Sequence, residues 1–297
     1  LYRKLDFDDV LIVPRSSTVT SRADVVLEKT FTIGPDETTL RCVPIIAANM
    51  QNIGTVSVAS ILHKYEMLTA LVKNTLNTLP TTFPAFNTYG MEGEVEDLQF
   101  ICLDVANGYL SSFVERVKQV REKYPFSVIM AGNVVTTEGV ENLAKAGADI
   151  IKVGLGSGSA CTTRIKTGVG YPQLSAVLEC SAATRHHGVY LCSDGGHRNP
   201  GDIAKSFAAG ADFVMLGGML SGTDETGAVF YGNASRMAQG TLEKYRAEEG
   251  QVIETPYKGS LDDVVQDILG GLRSACTYVG ARNLDEFKQF SRIIQVK

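Results

Sequence analysis

Ala146-Gly147-Ala148-Asp149-Ile150-Ile151-Lys152-Val153-Gly154-Leu155-Gly156-Ser157-Gly158 is the stretch from which the fold can be read. An apolar strand, 149–153, follows an Ala-Gly-Ala-Asp turn and runs straight into a glycine-rich loop. The same four residues recur at 209–212, again where a helical pattern ends and an apolar run begins. They read as the αβ turns of a repeated unit. Working outward, strands are predicted near 43–49, 68–73, 83–87, 100–105, 127–131, 149–153, 189–193 and 212–216. These runs are nearly continuously apolar, as strands covered on both faces should be. Eight such strands with helical patterns between most of them predict an α/β fold, a TIM (β/α)8 barrel. One domain is expected over 1–297, with a flap region at about 221–259. The active site of such a barrel lies at the C-terminal ends of its strands.

The residues at those ends are polar. The strands end in Asn49, Lys73, Asp104 with Asn107, and Asn133, then in the Cys161 loop, in Ser193-Asp194-Gly195-Gly196, and in Gly217-Gly218. The glycine pairs follow strands seven and eight, where barrels bind phosphate on backbone N–H groups. Cys161 sits at the end of a loop poor in side chains, which leaves its sulfur accessible as a nucleophile. Of six cysteines, five lie in or beside apolar patterns, where a thiol serves as a small hydrophobe. None forms a CxxC pair. That usage suits a reducing, cytoplasmic setting rather than a disulfide scaffold.

Composition narrows the field further. The chain has 297 residues, 44% of them hydrophobic, enough for a sizeable core. Its net charge is −5 with no basic block, which argues against nucleic acid or an anionic membrane as partner. No apolar stretch reaches the length of a membrane span. The interval from Lys73 to Phe100 is short for the helix, strand and helix expected there, and 221–229 is short for a lid. Mobile segments are therefore expected to be missing from the sequence here, so that some residues within 78–95 and 223–229 are not true chain neighbours. His186-His187 reads as a surface turn, and His63 and His197 as isolated residues.

Several motifs resemble those of the inosine-monophosphate dehydrogenase and GMP reductase superfamily. They are Ile45-Ile46-Ala47-Ala48-Asn49-Met50, Asp104-Val105-Ala106-Asn107-Gly108-Tyr109, Ala131-Gly132-Asn133-Val134-Val135 and Cys161-Thr162-Thr163-Arg164. Others are Ser193-Asp194-Gly195-Gly196, Met215-Leu216-Gly217-Gly218, Phe230-Tyr231-Gly232, Tyr245-Arg246-Ala247-Glu248-Glu249-Gly250 and Arg273-Ser274-Ala275-Cys276-Thr277. The resemblance is to the reductase branch and covers nearly the whole chain. The dehydrogenase branch typically carries a two-domain insert after strand two and an Arg-Tyr pair on its flap. This chain has no room for the first and contains no Arg-Tyr dipeptide. Asn233-Ala234 stands where reductases usually have Met-Ser, and Gln51-Asn52-Ile53 where they have Asp-Thr-Val.

The resemblance implies reductive deamination of GMP by NADPH to IMP and ammonia, a step of purine salvage, through a covalent thioimidate on Cys161. Thr163 and Glu249 would relay a proton to the departing amine, with Lys73 and Asp104 beside the nicotinamide. Substrate contacts are expected from Ser159, Asp194, Gly195, Gly196, Gly217, Gly218, Tyr231, Gly232, Asn233, Ala234, Arg246, Glu248 and Gly250. Cofactor contacts are expected from Val105, Ala106, Leu155, Gly156, Tyr245 and Arg246. Ser21, Arg22, Ser274, Ala275, Cys276 and Thr277 would hold its adenosine side, with an arginine favouring the 2′-phosphate. Backbone carbonyls of Gly156, Gly158, Cys161 and Arg164 would hold a monovalent cation such as K+. A homotetramer is also implied. The alternatives are the dehydrogenase reaction (IMP and NAD to XMP) and a non-catalytic purine-nucleotide sensor, which the fold alone would permit.

Overall fold

The computed structural model describes residues 3–75, 84–240, 245 and 247–297. Eight parallel strands close into a barrel. They are β1 (Ile45–Ala47), β2 (Leu68–Leu71), β3 (Ala85–Tyr89), β4 (Phe100–Asp104), β5 (Val128–Val134), β6 (Ile150–Val153), β7 (Tyr190–Asp194) and β8 (Phe213–Leu216). Each matches a predicted run. Closure comes from β8 pairing in parallel with β1, Val214 opposite Ile45 and Leu216 opposite Ala47. β1, β2, β6 and β8 are buried at every position, which explains their lack of polar alternation.

The helices include α1 (Val56–His63), α2 (Ser111–Lys123), α3 (Thr137–Lys145), α4 (Thr163–Thr167), α5 (Gln173–His187) and α6 (Pro200–Ala209). α7 (Arg236–Gln239), α8 (Leu261–Val279) and α9 (Leu284–Phe290) follow β8. Local sequence sets their ends. Thr136 caps α3 through the Gly139 N–H, and Asn199 caps α6 with Pro200 in its first turn. Ser260 caps α8, whose first turn carries Asp262 and Asp263 against the positive end of the helix dipole. His186 and His187 close α5 as its last two residues rather than forming a turn after it.

The helix expected between β3 and β4 is absent: residues 90–99 run from Tyr89 to Phe100 without one. Ten residues cannot form a helix with two connections and still return to the next strand. The start of the predicted third strand, at 83, lies outside the described residues. Among the described residues no helix is long and apolar enough to cross a membrane.

The N-terminal end of the barrel is plugged by a hairpin, Lys29–Ile33 paired with Thr38–Cys42. Phe31 stacks on Phe213 with ring centroids 4.4 Å apart and meets Tyr190 edge-on at 5.3 Å. The two Ala-Gly-Ala-Asp turns do the same job at this end. Asp149 accepts the Ile129 N–H of the preceding strand at 2.7 Å and an Arg121 N–H at 2.5 Å. Asp212 accepts the Leu191 N–H at 2.9 Å and pairs with Lys288 at 2.9 Å. Each carboxylate ties a strand to its neighbour and to an outer helix. The repeated aspartates are therefore structural staples, far from the catalytic end of the barrel.

Asp212→Ala leaves the Leu191 N–H and the Lys288 ammonium without their shared acceptor. We expect a loss of about 2–4 kcal/mol in urea-induced unfolding. The folded variant should keep a wild-type far-UV circular dichroism spectrum.

Candidate active site

The strand ends converge on a cavity of about 540 Å³. Its walls come from the residues after β1, β4, β5, β6, β7 and β8 and from the segment 230–249. At its centre lies Cys161, part-exposed, whereas the other five cysteines are buried. Burial pushes the pKa values of the Cys42, Cys102, Cys180 and Cys276 thiols up to about 12 and holds that of Cys192 well above the ordinary thiol range. The glycine loop thus gives one cysteine alone the access a nucleophile needs.

Three side chains form a chain of hydrogen bonds there. The Cys161 Sγ lies 3.3 Å from Thr163 Oγ1, which donates to Glu249 Oε2 at 2.8 Å. A threonine has one hydroxyl proton. Given to the carboxylate, it leaves the oxygen able only to accept from the thiol. Glu249 reaches this place because its segment is sewn to the cysteine loop. Thr162 N–H donates to the Glu249 carbonyl at 2.9 Å, Gln251 N–H to the Ala160 carbonyl at 2.9 Å, and Cys161 forms a bridge with Gly250. Residues 229–231 and 252–254 pair antiparallel beneath this contact, in the region expected to form the flap.

Against the cysteine loop Gly195 and Gly196 take φ of +99° and +85°, a region that strongly favours glycine. A Cβ at Gly195 would lie 2.7 Å from Ser157 Oγ, and one at Gly218 would lie 3.1 Å from Ser159 Oγ. The two glycine pairs and Ser159 therefore form a cradle of bare backbone at the cavity wall. The Phe230 ring lies over Gly217 and Gly218. Phe230, and not the expected Tyr231, faces this cavity.

Asp104 and Asp194 stand on either side of a residue that the sequence reading passed over. Lys152, counted within an apolar strand, is 1% exposed. Its Nζ lies 2.5 Å from Asp104 Oδ1 and 3.2 Å from Asp194 Oδ2. Asn49 donates to Asp104 Oδ2 at 3.0 Å, and Asn133 to Asp194 Oδ2 at 2.9 Å. Burial penalises the Asp104 charge, but Lys152 more than reverses this and holds the carboxyl below its usual range. Burial likewise opposes the Lys152 charge, yet the two aspartates hold its pKa well above that of an ordinary lysine. The available signal was a lysine inside a buried strand, which demands acidic partners elsewhere in the fold.

Ser159, Gly195, Gly196, Gly217, Gly218, Gly232, Asn233 and Ala234 line the cavity, as do Val105, Ala106, Leu155, Gly156 and Tyr245. Asn233 donates to the Asn49 carbonyl at 3.2 Å, so the departure from Met-Ser is used to tie the 230s to strand β1. Lys73 stands behind the wall, its Nζ donating to the Asp104 carbonyl at 3.1 Å. Glu248 turns away: its carboxylate accepts the Arg236 N–H at 2.9 Å and faces the Arg236 guanidinium. Gly250 backs the cysteine loop, close to the backbone of Ala234 and Ser235. Arg246 lies outside the described residues.

Ser21, Arg22 and Ser274 form a separate cluster on α8, where Arg22 Nε donates to Ser274 Oγ at 2.7 Å. Cys276 is buried in that helix and offers no side chain to a cofactor. His197 is a cavity residue the sequence reading set aside. It is buried, with Nε2 2.8 Å from Ser206 Oγ, and burial pushes its pKa down to about 3. The proposed cation carbonyls are partly committed. Gly158 accepts the Cys161 N–H, and Arg164 accepts the Gly168 N–H that closes α4. The Arg164 side chain, itself a cation, packs against Gly156 and pairs with Asp6 at 3.3 Å.

A closed parallel barrel whose strand ends gather a part-exposed thiol, its hydrogen-bonded threonine and glutamate, and bare glycine backbone around one cavity has the layout of an enzyme. A family model described as IMP dehydrogenase / GMP reductase domain matches residues 94–297. Human GMP reductase 2 is 47% identical over 328 aligned positions, covering 99% of this chain and 94% of that protein. GMP reductase of Caenorhabditis elegans is 45% identical over 99% of this chain and 92% of its own length. GMP reductase of Shigella boydii is 45% identical over 99% and 95%. The chain belongs to the IMP dehydrogenase / GMP reductase family. An alignment of 328 positions against 297 residues means that the human protein carries residues this chain lacks.

Mild alkylation of the native protein should label Cys161 first, with Cys42, Cys102, Cys180, Cys192 and Cys276 protected until unfolding. Peptide mass spectrometry checks this. Equal labelling of any buried cysteine at the same time would contradict the assignment.

Proposed function

We propose that the chain converts GMP to IMP and ammonia with NADPH, through a covalent adduct on Cys161. The observation that carries this reading is the Cys161–Thr163–Glu249 chain of hydrogen bonds beside the glycine cradle. The GMP phosphate would sit on the backbone of Gly195, Gly196, Gly217 and Gly218 with Ser159, and its ribose hydroxyls on Asp194. The purine would then lie against Cys161.

The Cys161 sulfur bonds to C2 of guanine while its proton passes through Thr163 toward Glu249. The same route returns a proton to the exocyclic amine, which leaves as ammonia and gives the thioimidate. The relay is thus proton-neutral over this half: the thiol supplies what the amine needs. Covalent capture splits a difficult displacement into two easier steps. Residues Asp104, Val105, Ala106, Leu155, Gly156 and Tyr245 flank the rest of the same cavity and fit a nicotinamide ring, with the Lys73 ammonium close behind. NADPH, when bound, supplies the hydride that reduces C2. The Cys161 thiolate is then expelled and takes a proton from solvent, which completes the balance. The Ser21, Arg22 and Ser274 cluster lies away from this cavity and would serve the cofactor of a neighbouring copy.

The dehydrogenase alternative needs a group that activates water on the flap, and no Arg-Tyr pair is present. The sensor alternative has no use for an accessible thiol bonded to a carboxylate relay.

Cys161→Ala should abolish GMP-dependent NADPH oxidation while leaving GMP binding intact. Robust NADH formation from IMP by the wild-type chain would instead support the dehydrogenase reading.

Glu249→Gln should lose roughly 10²–10⁴-fold in GMP reduction, the scale of one acid–base group. The reverse half-reaction, hydride transfer from IMP to NADP+, precedes any return of ammonia. It should persist as a pre-steady-state burst of NADPH. A burst that falls in parallel with GMP reduction would place Glu249 in both steps.

A further inference from the structure

We infer that Lys152 is a positioning residue shared by Asp104 and Asp194, its buried ammonium pairing with both carboxylates where Asp194 would accept the nucleotide's ribose hydroxyls. This deepens the reading of the cavity as a GMP site and rests on it.

Both carboxylate oxygens contact one nitrogen, at 2.5 and 3.2 Å. They are therefore at most about 6 Å apart, where like charges disturb each other's titration. Asn49 and Asn133 each donate one amide hydrogen but bring no charge. The titratable groups around this point are few. Strand β4 brings Asp104 and Cys102, and β7 brings Cys192 and Asp194. Lys73, after β2, acts on Asp104 from its carbonyl side. His197, after β7, is kept neutral by burial, as are the two thiols. Lys152 is thus the cation that touches both carboxylates.

The backbone makes room for it. Gly132 on β5 lies opposite Lys152 in the barrel register, and a Cβ there would come within 2.5 Å of the Lys152 Cβ. Removing the ammonium would leave two carboxylates close together in a part-buried site, and one would retain a proton. Its pKa is then raised, so binding to an ionised Asp194 weakens as the pH falls through that value. An uncharged Asp194 would also lose the stronger, charge-assisted form of its hydrogen bonds to the ribose.

The test is calorimetric titration of IMP, a probe that needs no turnover, from about pH 5.5 to 8.5. The quantity read is the ratio of variant to wild-type Kd, which cancels titration of the IMP phosphate. For Lys152→Met the ratio should be about tenfold or more at the acid end and fall as pH rises. Lys152→Gln, which keeps a donor without the charge, should show the same trend and stands in if the methionine variant does not fold. Adding Asp104→Asn to either should restore IMP affinity and flatten the ratio, because Asp194 then has no like-charged neighbour. A packing role predicts the opposite, a further loss from deleting one more contact, and that result would overturn the inference. So would a pH-independent ratio in folded single variants. Failure of the wild-type chain to bind IMP would instead overturn the GMP-site reading itself.

Discussion

Hydrogen bonding between β8 and β1 closes the sheet, and the chemistry depends on that closure. Val214, Met215 and Leu216 align with Ile45, Ile46 and Ala47, so the last strand of the repeat ends beside the first. Parallel strands in a closed barrel must all finish at one rim. Asn49, Asp104, Asn133, Asp194 and the Cys161 loop are separated by tens of residues in the chain, yet they meet around one cavity. The opposite rim carries the stabilising work, in the Phe31 plug and the Asp149 and Asp212 staples. Stability and reactivity are thereby assigned to opposite ends.

The second constraint is the docking of 247–252 on the cysteine loop. The Glu249 carboxylate comes from a segment more than eighty residues after the threonine it bonds. It is held by main-chain bonds from Thr162 to Glu249 and from Gln251 to Ala160. Backbone pairing of this kind fixes the position of a side chain more tightly than a side-chain contact alone, because it limits the dihedrals on both sides. The neighbouring Glu248 shows the alternation that results. One carboxylate faces the thiol chain and the next faces Arg236.

Charge burial is the third. A lysine in the barrel interior loses its hydration, and two aspartates replace it, each in turn accepting an amide hydrogen from Asn49 or Asn133. The arrangement spans β1, β4, β5, β6 and β7, so each strand contributes one polar group to a network that only the closed barrel assembles. Such networks have value only when every member is present.

Eight strands, their order and the one accessible cysteine were legible in the sequence because they rest on local signals. A run of apolar residues fixes a buried strand, an Ala-Gly-Ala-Asp turn fixes where it starts, and a glycine loop exposes the one thiol within it. The family motifs added Thr163, Glu249 and Asp194 by resemblance. What pattern could not supply was facing and partnership. Lys152 looked like part of an apolar run because nothing nearby in the chain neutralises it. Phe230 and Tyr231 are adjacent, and only the ribbon's orientation decides which one meets the cavity. His197 seemed isolated until the barrel placed Ser206 against it. The sequence by itself determined the strands, the loop and the cysteine that the loop exposes, since those depend on residues within a few positions of one another. The tertiary structure alone decided which charges share a site. Coulombic and hydrogen-bond energies depend on distances of a few ångströms, and those distances exist only after the sheet has closed.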